Sequence, residues 1–187
     1  LAGYAALKLS AADLARVPDI LKGQLAVSAT DAAGNLVDAT SLQIPGVLDD
    51  LYTYTGALGV VYQGATPSLR LWAPTAKSVK LHLFDTSTTT ADTVVPMTLD
   101  ATTGVWSATG TPAWSGKYYL YEVEVWVRTT GKVERNLVTD PYSISLAMNS
   151  TRSQIVNLDD RALKPAGWDH APKPRLDQFE DIVIYEL

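Results

Sequence analysis

The stretch Ser68–Phe84, SLRLWAPTAKSVKLHLF, decides the fold of this chain. Because a β-strand sends alternate side chains to opposite faces, residues of one parity lie on one face of each arm. Here one parity is entirely aliphatic on both sides of a proline-containing turn: Leu69, Leu71, Val79, Leu81 and Leu83. The pattern predicts two strands that form a hairpin or a β-arch, and the aliphatic face needs a second layer to cover it. We therefore expect a β-sandwich.

Further strands follow at short intervals and are separated by turns rich in Gly, Pro and Thr. Strands at such spacing without intervening helices are typical of an all-β sandwich rather than a parallel sheet. Tyr118–Val127, YYLYEVEVWV, is the longest β-favouring run, so we expect it to form a central strand. The predicted strands are residues 59–63, 68–73, 78–84, 93–99, 104–109, 117–128, 132–138 and 153–158.

The segment before the sandwich predicts a small α+β unit. Ser10 fits a helix N-cap, with Asp13 three residues further on. After this helix, alternating residues predict a hairpin with arms at Gln24–Thr30 and Leu36–Ile44, since the sequence DAAGN between them favours a turn. The unit is too small to hold itself, so we expect it to complete a domain that begins upstream.

The segment after the sandwich, residues 159–187, changes character. A proline-rich polar connector comes first, and Asp181–Leu187, DIVIYEL, follows with three consecutive apolar residues. A strand that is buried on both faces lacks the alternation of a half-exposed strand. The sequence therefore predicts a buried strand that opens a further, parallel domain.

Charge and residue usage exclude several classes of site. The 187 residues carry a net charge of −5 with scattered basic residues, which argues against a nucleic-acid partner and favours a neutral ligand. With no cysteine and two histidines, the chain predicts neither a zinc site nor a catalytic triad. The adjacent acids Asp49 and Asp50 could suggest a metal site, but neighbouring residues on an extended chain point to opposite faces, so we expect a solvated linker. No apolar run reaches the roughly 20 residues that span a bilayer.

Five segments, in their order, resemble one known family. They are LRLWAPTAKSVKLHLF, GVWSATGTPAWSGKYYLYEVEVW, VTDPYSISLAMNSTRSQIVNL, LKPAGWD and DIVIYEL. Together they resemble the region before the catalytic barrel in pullulanase and limit dextrinase-type starch-debranching enzymes of glycoside hydrolase family 13. The sandwich resembles carbohydrate-binding module family 48, and LQIPGVLDDLY resembles the junction that joins it to a small preceding domain.

The resemblance implies three parts: residues 1–50 from the small N-terminal domain, an immunoglobulin-like antiparallel sandwich over 51–158, and a connector with the first strand of a (β/α)₈ barrel over 159–187. It implies an enzyme that hydrolyses α-1,6-glucosidic branch points, with two carboxylates about 5 to 5.5 Å apart. No acid of this chain matches the family's catalytic motifs, so the chain is expected to be inactive alone. Its expected partners are the barrel of the same polypeptide and a branched α-glucan.

The resemblance also implies where the protein works and what it needs. Its bacterial relatives suggest a secreted or cell-surface protein, with the signal outside this chain. We expect no cofactor and no metal site in this chain, while calcium elsewhere in the full enzyme stays open.

Exposed aromatic rings are the residues most suited to binding glucans, because the C–H face of a glucose ring stacks on an aromatic face. Trp106 and Trp114 lie next to turns, so we select them as the carbohydrate-binding candidates. We expect Trp72, Trp168 and Tyr185 to pack at domain interfaces instead. Trp126 is also expected in packing.

One detail bears on whether the sandwich binds glucan. Glycogen-binding members of the module family carry an aromatic residue three positions before the matching Asp-Pro pair, where this chain has Leu137. We therefore favour a structural module that packs on the barrel and shapes its substrate cleft; a working starch-binding module and an interaction domain unrelated to sugars remain alternatives. Near the same pair, Asp140 is predicted to form an ion pair with Arg135 and Arg152.

Overall fold

The computed structural model describes residues 7–173 and 175–185, and the chain divides after Val156 into two compact units. The described residues of the first unit hold three short α-helices, α1 (Ala11–Leu14), α2 (Val17–Ile20) and α3 (Pro45–Leu51), and two 3₁₀ turns, Pro112–Trp114 and Met148–Ser150. They also hold strands β1 (Ala26–Thr30), β2 (Leu36–Ser41), β3 (Gly59–Gln63), β4 (Thr66–Trp72), β5 (Ser78–Phe84), β6 (Thr93–Pro96), β7 (Thr98–Asp100), β8 (Val105–Thr109), β9 (Tyr118–Val127), β10 (Lys132–Val138) and β11 (Ser153–Gln154).

The helix and hairpin of the N-terminal segment are as predicted. The Ser10 hydroxyl accepts a hydrogen bond from the Asp13 backbone N–H at 3.3 Å, which caps α1. Strands β1 and β2 pair in antiparallel fashion. Their turn is held by Asp31, whose carboxylate accepts from the backbone N–H groups of Ala33 and Asn35 at 2.9 and 2.8 Å. The pKa of Asp31 is lowered chiefly by a further hydrogen bond from the Asn35 side chain, and these backbone bonds lower it as well.

The predicted linker at Asp49 and Asp50 is helical rather than extended. Both acids lie in α3, which begins at Pro45, and both are exposed. A proline is tolerated in the first helical turn because its missing N–H would have no intrahelical partner there. The expectation of solvated acids is confirmed, whereas the extended backbone was wrong.

The sandwich consists of two antiparallel sheets. One sheet has the order β3-β4-β8-β7, and the other has the order β10-β9-β5-β6, with β11 also pairing with β9. Because β4 and β5 lie in different sheets, Ser68–Phe84 forms a β-arch rather than a hairpin. Its aliphatic residues, Leu69, Leu71, Val79, Leu81 and Leu83, are all buried in the core between the sheets, as their parity predicted.

Strand β9 is central, as predicted, because it pairs with β5 on one side and with β10 and β11 on the other. Its inward residues Tyr119 and Tyr121 are fully buried, with ring centroids 5.5 Å apart in an edge-on arrangement. The predicted strand 93–99 is instead two strands, because the chain leaves one sheet after Pro96 and enters the other at Thr98. The predicted strand 153–158 is shorter and comprises Ser153–Gln154 alone.

The described part of the second unit contains 3₁₀ turns at Arg161–Leu163, Trp168–His170 and Phe179–Asp181. The predicted barrel strand stays a prediction: residues 182–185 have no regular structure among the described residues, and Val183 is 90% exposed. A strand buried on both faces needs neighbouring strands for its N–H and C=O groups, and no described strand pairs with this segment. Residues 186 and 187 of the prediction lie outside the described residues. Among the described residues, no helix has both the length and the apolarity to cross a membrane.

Candidate functional site: an aromatic cleft beside a buried carboxylate

A buried carboxylate, Asp140, anchors the loop that follows β10. It is 4% exposed, and it accepts hydrogen bonds from the hydroxyls of Tyr119 and Tyr121 at 2.7 and 3.2 Å. Its other oxygen accepts from the backbone N–H of Tyr142 at 2.8 Å, and its own N–H donates to the Ser153 hydroxyl at 2.9 Å. Burial raises the pKa of Asp140, while these donors act in the opposite direction. Burial also raises the pKa of both tyrosines, and the nearby carboxylate adds to this.

The predicted ion pair of Asp140 with two arginines was wrong. Arg135 lies 3.5 Å from Glu124 instead. Arg152 donates to the carbonyls of Thr86 and Thr89, both at 2.7 Å, and its guanidinium lies 3.7 Å from the centroid of the Phe84 ring. Neutral hydroxyls satisfy a buried carboxylate without the cost of desolvating a guanidinium as well.

The loop anchored by Asp140 forms one wall of a cleft of about 370 Å³. We call this site the aromatic cleft, and its lining residues are Asp49, Tyr52, Thr53, Tyr54, Leu58, Trp72 and Tyr142. They come from three parts of the chain: α3 with the segment after it, the end of β4, and the loop after β10. No local pattern in the sequence predicts that these three parts lie side by side. The tyrosines that follow α3 and the Asp-Pro pair are the features of the sequence that could have pointed to the site.

Hydrogen bonds and a close backbone approach fix the rings of the aromatic cleft. The Trp72 indole N–H donates to the Tyr52 carbonyl at 2.9 Å, and Arg70 donates to the Tyr54 hydroxyl at 3.1 Å. Gly59 has a φ of +76°, and a Cβ at this position would lie 2.9 Å from that of Tyr142, so only glycine permits this approach. Trp72 thus packs against the segment after α3, while its predicted contact with another domain stays a prediction.

The structure corrects the assignment of Trp106 as a sugar platform. This residue lies in β8 with its ring in the core, 7% exposed, and its indole N–H donates to the Ala73 carbonyl at 3.0 Å. A ring without an exposed face cannot stack on a sugar. Nearness to a turn misled the prediction because the covering second sheet comes from residues far away in sequence.

Trp114 is half-buried, and a glucan contact for it stays a prediction. It ends the 3₁₀ turn Pro112–Trp114 and packs against the core. Its ring lies directly against Gly110, where any Cβ would collide with it. The remaining exposed part of the indole is available to solvent.

Comparison with known proteins gives two domain matches. Residues 1–50 match the model of the pullulanase N2 domain, and residues 57–143 match carbohydrate-binding module 48, the isoamylase N-terminal domain. The chain therefore contains a pullulanase N2 domain followed by a family 48 carbohydrate-binding module. These matches favour the resemblance to pullulanases over an interaction domain unrelated to sugars.

Pullulanases of plants and bacteria are similar along most of the chain. Pullulanase 1, chloroplastic, of Arabidopsis thaliana is 42% identical over 173 residues, which are 91% of this chain and 18% of that protein. A pullulanase of Klebsiella pneumoniae is 39% identical over 181 residues, 93% of this chain and 16% of that protein. The chain therefore spans less than a fifth of the length of these curated relatives.

Solved pullulanase structures show the same fold. The apo pullulanase of Klebsiella pneumoniae aligns with a TM-score of 0.77 at 38% identity, covering 82% of this chain and 17% of that one. The pullulanase of Paenibacillus barengoltzii in complex with maltohexaose and α-cyclodextrin aligns with a TM-score of 0.61 at 32% identity, covering 86% of this chain and 23% of that one. The prediction of a mainly β, pullulanase-type sandwich is confirmed.

In this pullulanase-type module, the outer face of the sheet containing β9 carries a network of paired charges. Glu122 accepts from Lys80 at 2.9 Å and lies 3.2 Å from His82 Nε2, while His82 Nδ1 contacts Asp92. The bond from Lys80 is the largest cause that lowers the pKa of Glu122. Leu137 lies opposite Glu122 on β10 and is exposed. This face therefore presents paired charges and an aliphatic side chain, and sequence analysis missed the pairing because it depends on strand register.

The N2 domain and the module share a second cleft of about 500 Å³. Trp126 lines it together with residues of the N2 hairpin and α3, and Arg128 donates to the Ser41 hydroxyl at 3.0 Å. In the second unit, Trp168 and Tyr185 are 63% and 82% exposed, so their predicted interface packing stays a prediction. Within residues 7–173 and 175–185, no group of three or more His, Cys, Asp or Glu could hold a metal ion.

Proposed function

We propose that this chain is the non-catalytic N-terminal part of a pullulanase-type debranching enzyme, and that the whole enzyme hydrolyses α-1,6-glucosidic branch linkages in pullulan, amylopectin and limit dextrins. The observation that carries the proposal is the order of an N2 domain and a family 48 module, with 42% identity to a pullulanase over 91% of the chain. The partners of the chain are then the catalytic barrel of its own polypeptide and a branched α-glucan.

In this proposal the sandwich packs on the barrel and shapes the substrate cleft. The burial of Trp106 and the aliphatic Leu137 support this role, because they leave the module without two of the ring platforms that glucan binding would use. The net charge of −5 supports a neutral glucan over a nucleic acid. A secreted or cell-surface location in a bacterium belongs to the same proposal, and fractionation of the source cells checks it.

A reducing-sugar assay on pullulan tests the catalytic part of this proposal. Purified residues 1–187 are expected to release no maltotriose. Retaining glycosidases need a nucleophile and an acid on opposite sides of the scissile bond, and no acid of this chain matches the family's catalytic motifs. Asp140, a buried acid, is already engaged by two tyrosines. Turnover above that of a heat-denatured sample would contradict a non-catalytic role.

The second candidate function is an active starch-binding module, and the half-exposed Trp114 favours it. Solved relatives were crystallised with maltotriose and with maltohexaose and α-cyclodextrin. Electrophoresis through an amylopectin gel distinguishes the candidates, since a binding module is retarded and Trp114→Ala abolishes the retardation. Equal mobility with and without amylopectin would support the structural role alone.

A further inference from the structure

We propose that the aromatic cleft, lined by Trp72, Tyr54, Tyr142 and Asp49, is a carbohydrate subsite for one or two glucose units of an α-glucan. The inference rests on the proposed function, and it places glucan contact at a site different from Trp106 and Trp114. The volume of about 370 Å³ lies within the roughly 300–1,000 Å³ that is typical of small-molecule sites.

The first support is a set of rings held in place by residues around the cleft. The Trp72 ring is held by its bond to the Tyr52 carbonyl and the Tyr54 ring by its bond from Arg70, while Asp140 holds the backbone of Tyr142. Rings fixed before a ligand arrives lose little conformational entropy on binding. A pyranose ring can therefore stack on them without rearrangement of the wall.

The second support is a set of polar groups suited to sugar hydroxyls. Asp49 is exposed in α3, and its carboxylate accepts no hydrogen bond from any residue in the described part of the chain. The Thr53 hydroxyl donates to the Asp49 carbonyl at 2.8 Å and keeps its own lone pairs. The Tyr142 hydroxyl is protonated across the neutral range, as for any tyrosine, and burial raises its pKa further.

The charge of the cleft selects among ligands. A carboxylate forms strong hydrogen bonds with hydroxyl donors but repels anions, which disfavours phosphorylated and acidic ligands. Rings with one carboxylate therefore favour a neutral polyol over a nucleotide or an acidic peptide. The glucan of the proposed function has this chemistry.

The test is a titration of the ¹⁵N-labelled full chain with maltotriose, followed through the tryptophan indole N–H resonances. Trp72→Phe assigns the Trp72 signal. This signal is expected to shift saturably, whereas the buried Trp106 signal stays in place. Tyr142→Ala is expected to raise the apparent Kd by about two- to tenfold, which is the change in affinity that one aromatic contact supplies. Phe179→Ala, which removes an exposed ring outside the cleft, leaves the Kd unchanged.

Three results would overturn the proposal. They are the absence of any saturable shift up to tens of millimolar maltotriose, a shift confined to the Trp114 signal, and a Kd that Tyr142→Ala does not alter although its spectrum shows a folded protein. The reducing-sugar assay on pullulan is independent of this titration. A failed subsite thus leaves the proposed function intact, and turnover by the chain alone refutes the proposed function without touching the titration.

Discussion

Replacing Asp140 by alanine should destabilise the fold more than most single substitutions, because several donors share this one carboxylate. Tyr119 and Tyr121 are fully buried, so their hydroxyls cannot turn to water when the acceptor is removed. A buried donor left without a partner costs about 1–3 kcal/mol, hence about 2–6 kcal/mol for the two. Part of this is offset because the variant no longer buries a carboxylate, whose pKa is raised by that burial. We expect a net loss of about 2–4 kcal/mol in the free energy of unfolding.

Urea unfolding followed by tryptophan fluorescence measures this loss. The midpoint should fall while the slope m stays constant, since the surface exposed on unfolding is unchanged. Asp140→Asn is the matched variant, because its amide oxygen still accepts from a tyrosine, and it should lose less than Asp140→Ala.

A double-mutant cycle assigns the loss to the hydrogen bonds. In a chain that already carries Tyr119→Phe and Tyr121→Phe, Asp140→Ala should cost less than half of its single-variant value, because no hydroxyl is left unpaired. The reasoning is refuted if Asp140→Ala changes stability by under about 0.5 kcal/mol, or if its cost is the same in both backgrounds.

Three further predictions concern the same core. Burial raises the pKa of Tyr119 and Tyr121 above 10.0, so the folded state retains protons that the unfolded state releases; stability should therefore fall as the pH rises above 10, and the two Phe substitutions together should flatten this slope in urea titrations. Trp106→Ala should lower stability by about 3–5 kcal/mol, as for a core residue, and a stable variant that has lost glucan retention would contradict its burial. Gly104→Ala should lower the melting temperature more than Gly64→Ala. Both glycines have positive φ, but a Cβ at Gly104 would lie 2.7 Å from a proline Cβ, whereas a Cβ at Gly64 would meet open space. Equal losses in melting temperature would contradict this packing.

The core of the arch was predictable because alternation is a local property. Leu69, Leu81 and their neighbours of the same parity needed only the rule that strands present opposite faces. Whether the two arms pair with each other could not be deduced locally. That choice depends on β8 and β9, which offer each arm a partner in a different sheet.

Trp106 shows where local rules fail. Val105 and Trp106 are adjacent in β8 and point to opposite faces, yet both are buried, so both sides of the strand are covered at this point. An apolar residue next to an aromatic residue beside a turn fits two situations equally well. The strand can be covered on both sides, as here, or it can end with one face exposed to solvent. The strand predicted at the C-terminal end stays a prediction for a different reason, since an apolar run becomes a strand only where neighbouring strands can pair with it.

The position of one wall of the aromatic cleft depends on the buried carboxylate of Asp140 rather than on a local sequence motif. Asp140 binds the core through the hydroxyls of Tyr119 and Tyr121, and it holds the backbone of Tyr142 through its second oxygen. The residue that satisfies the interior of the sandwich is thus also the residue that positions one wall of the cleft. A change in the core at Asp140 therefore reaches Tyr142 through a single side chain, so the stability of the module and the shape of the cleft depend on the same hydrogen bonds.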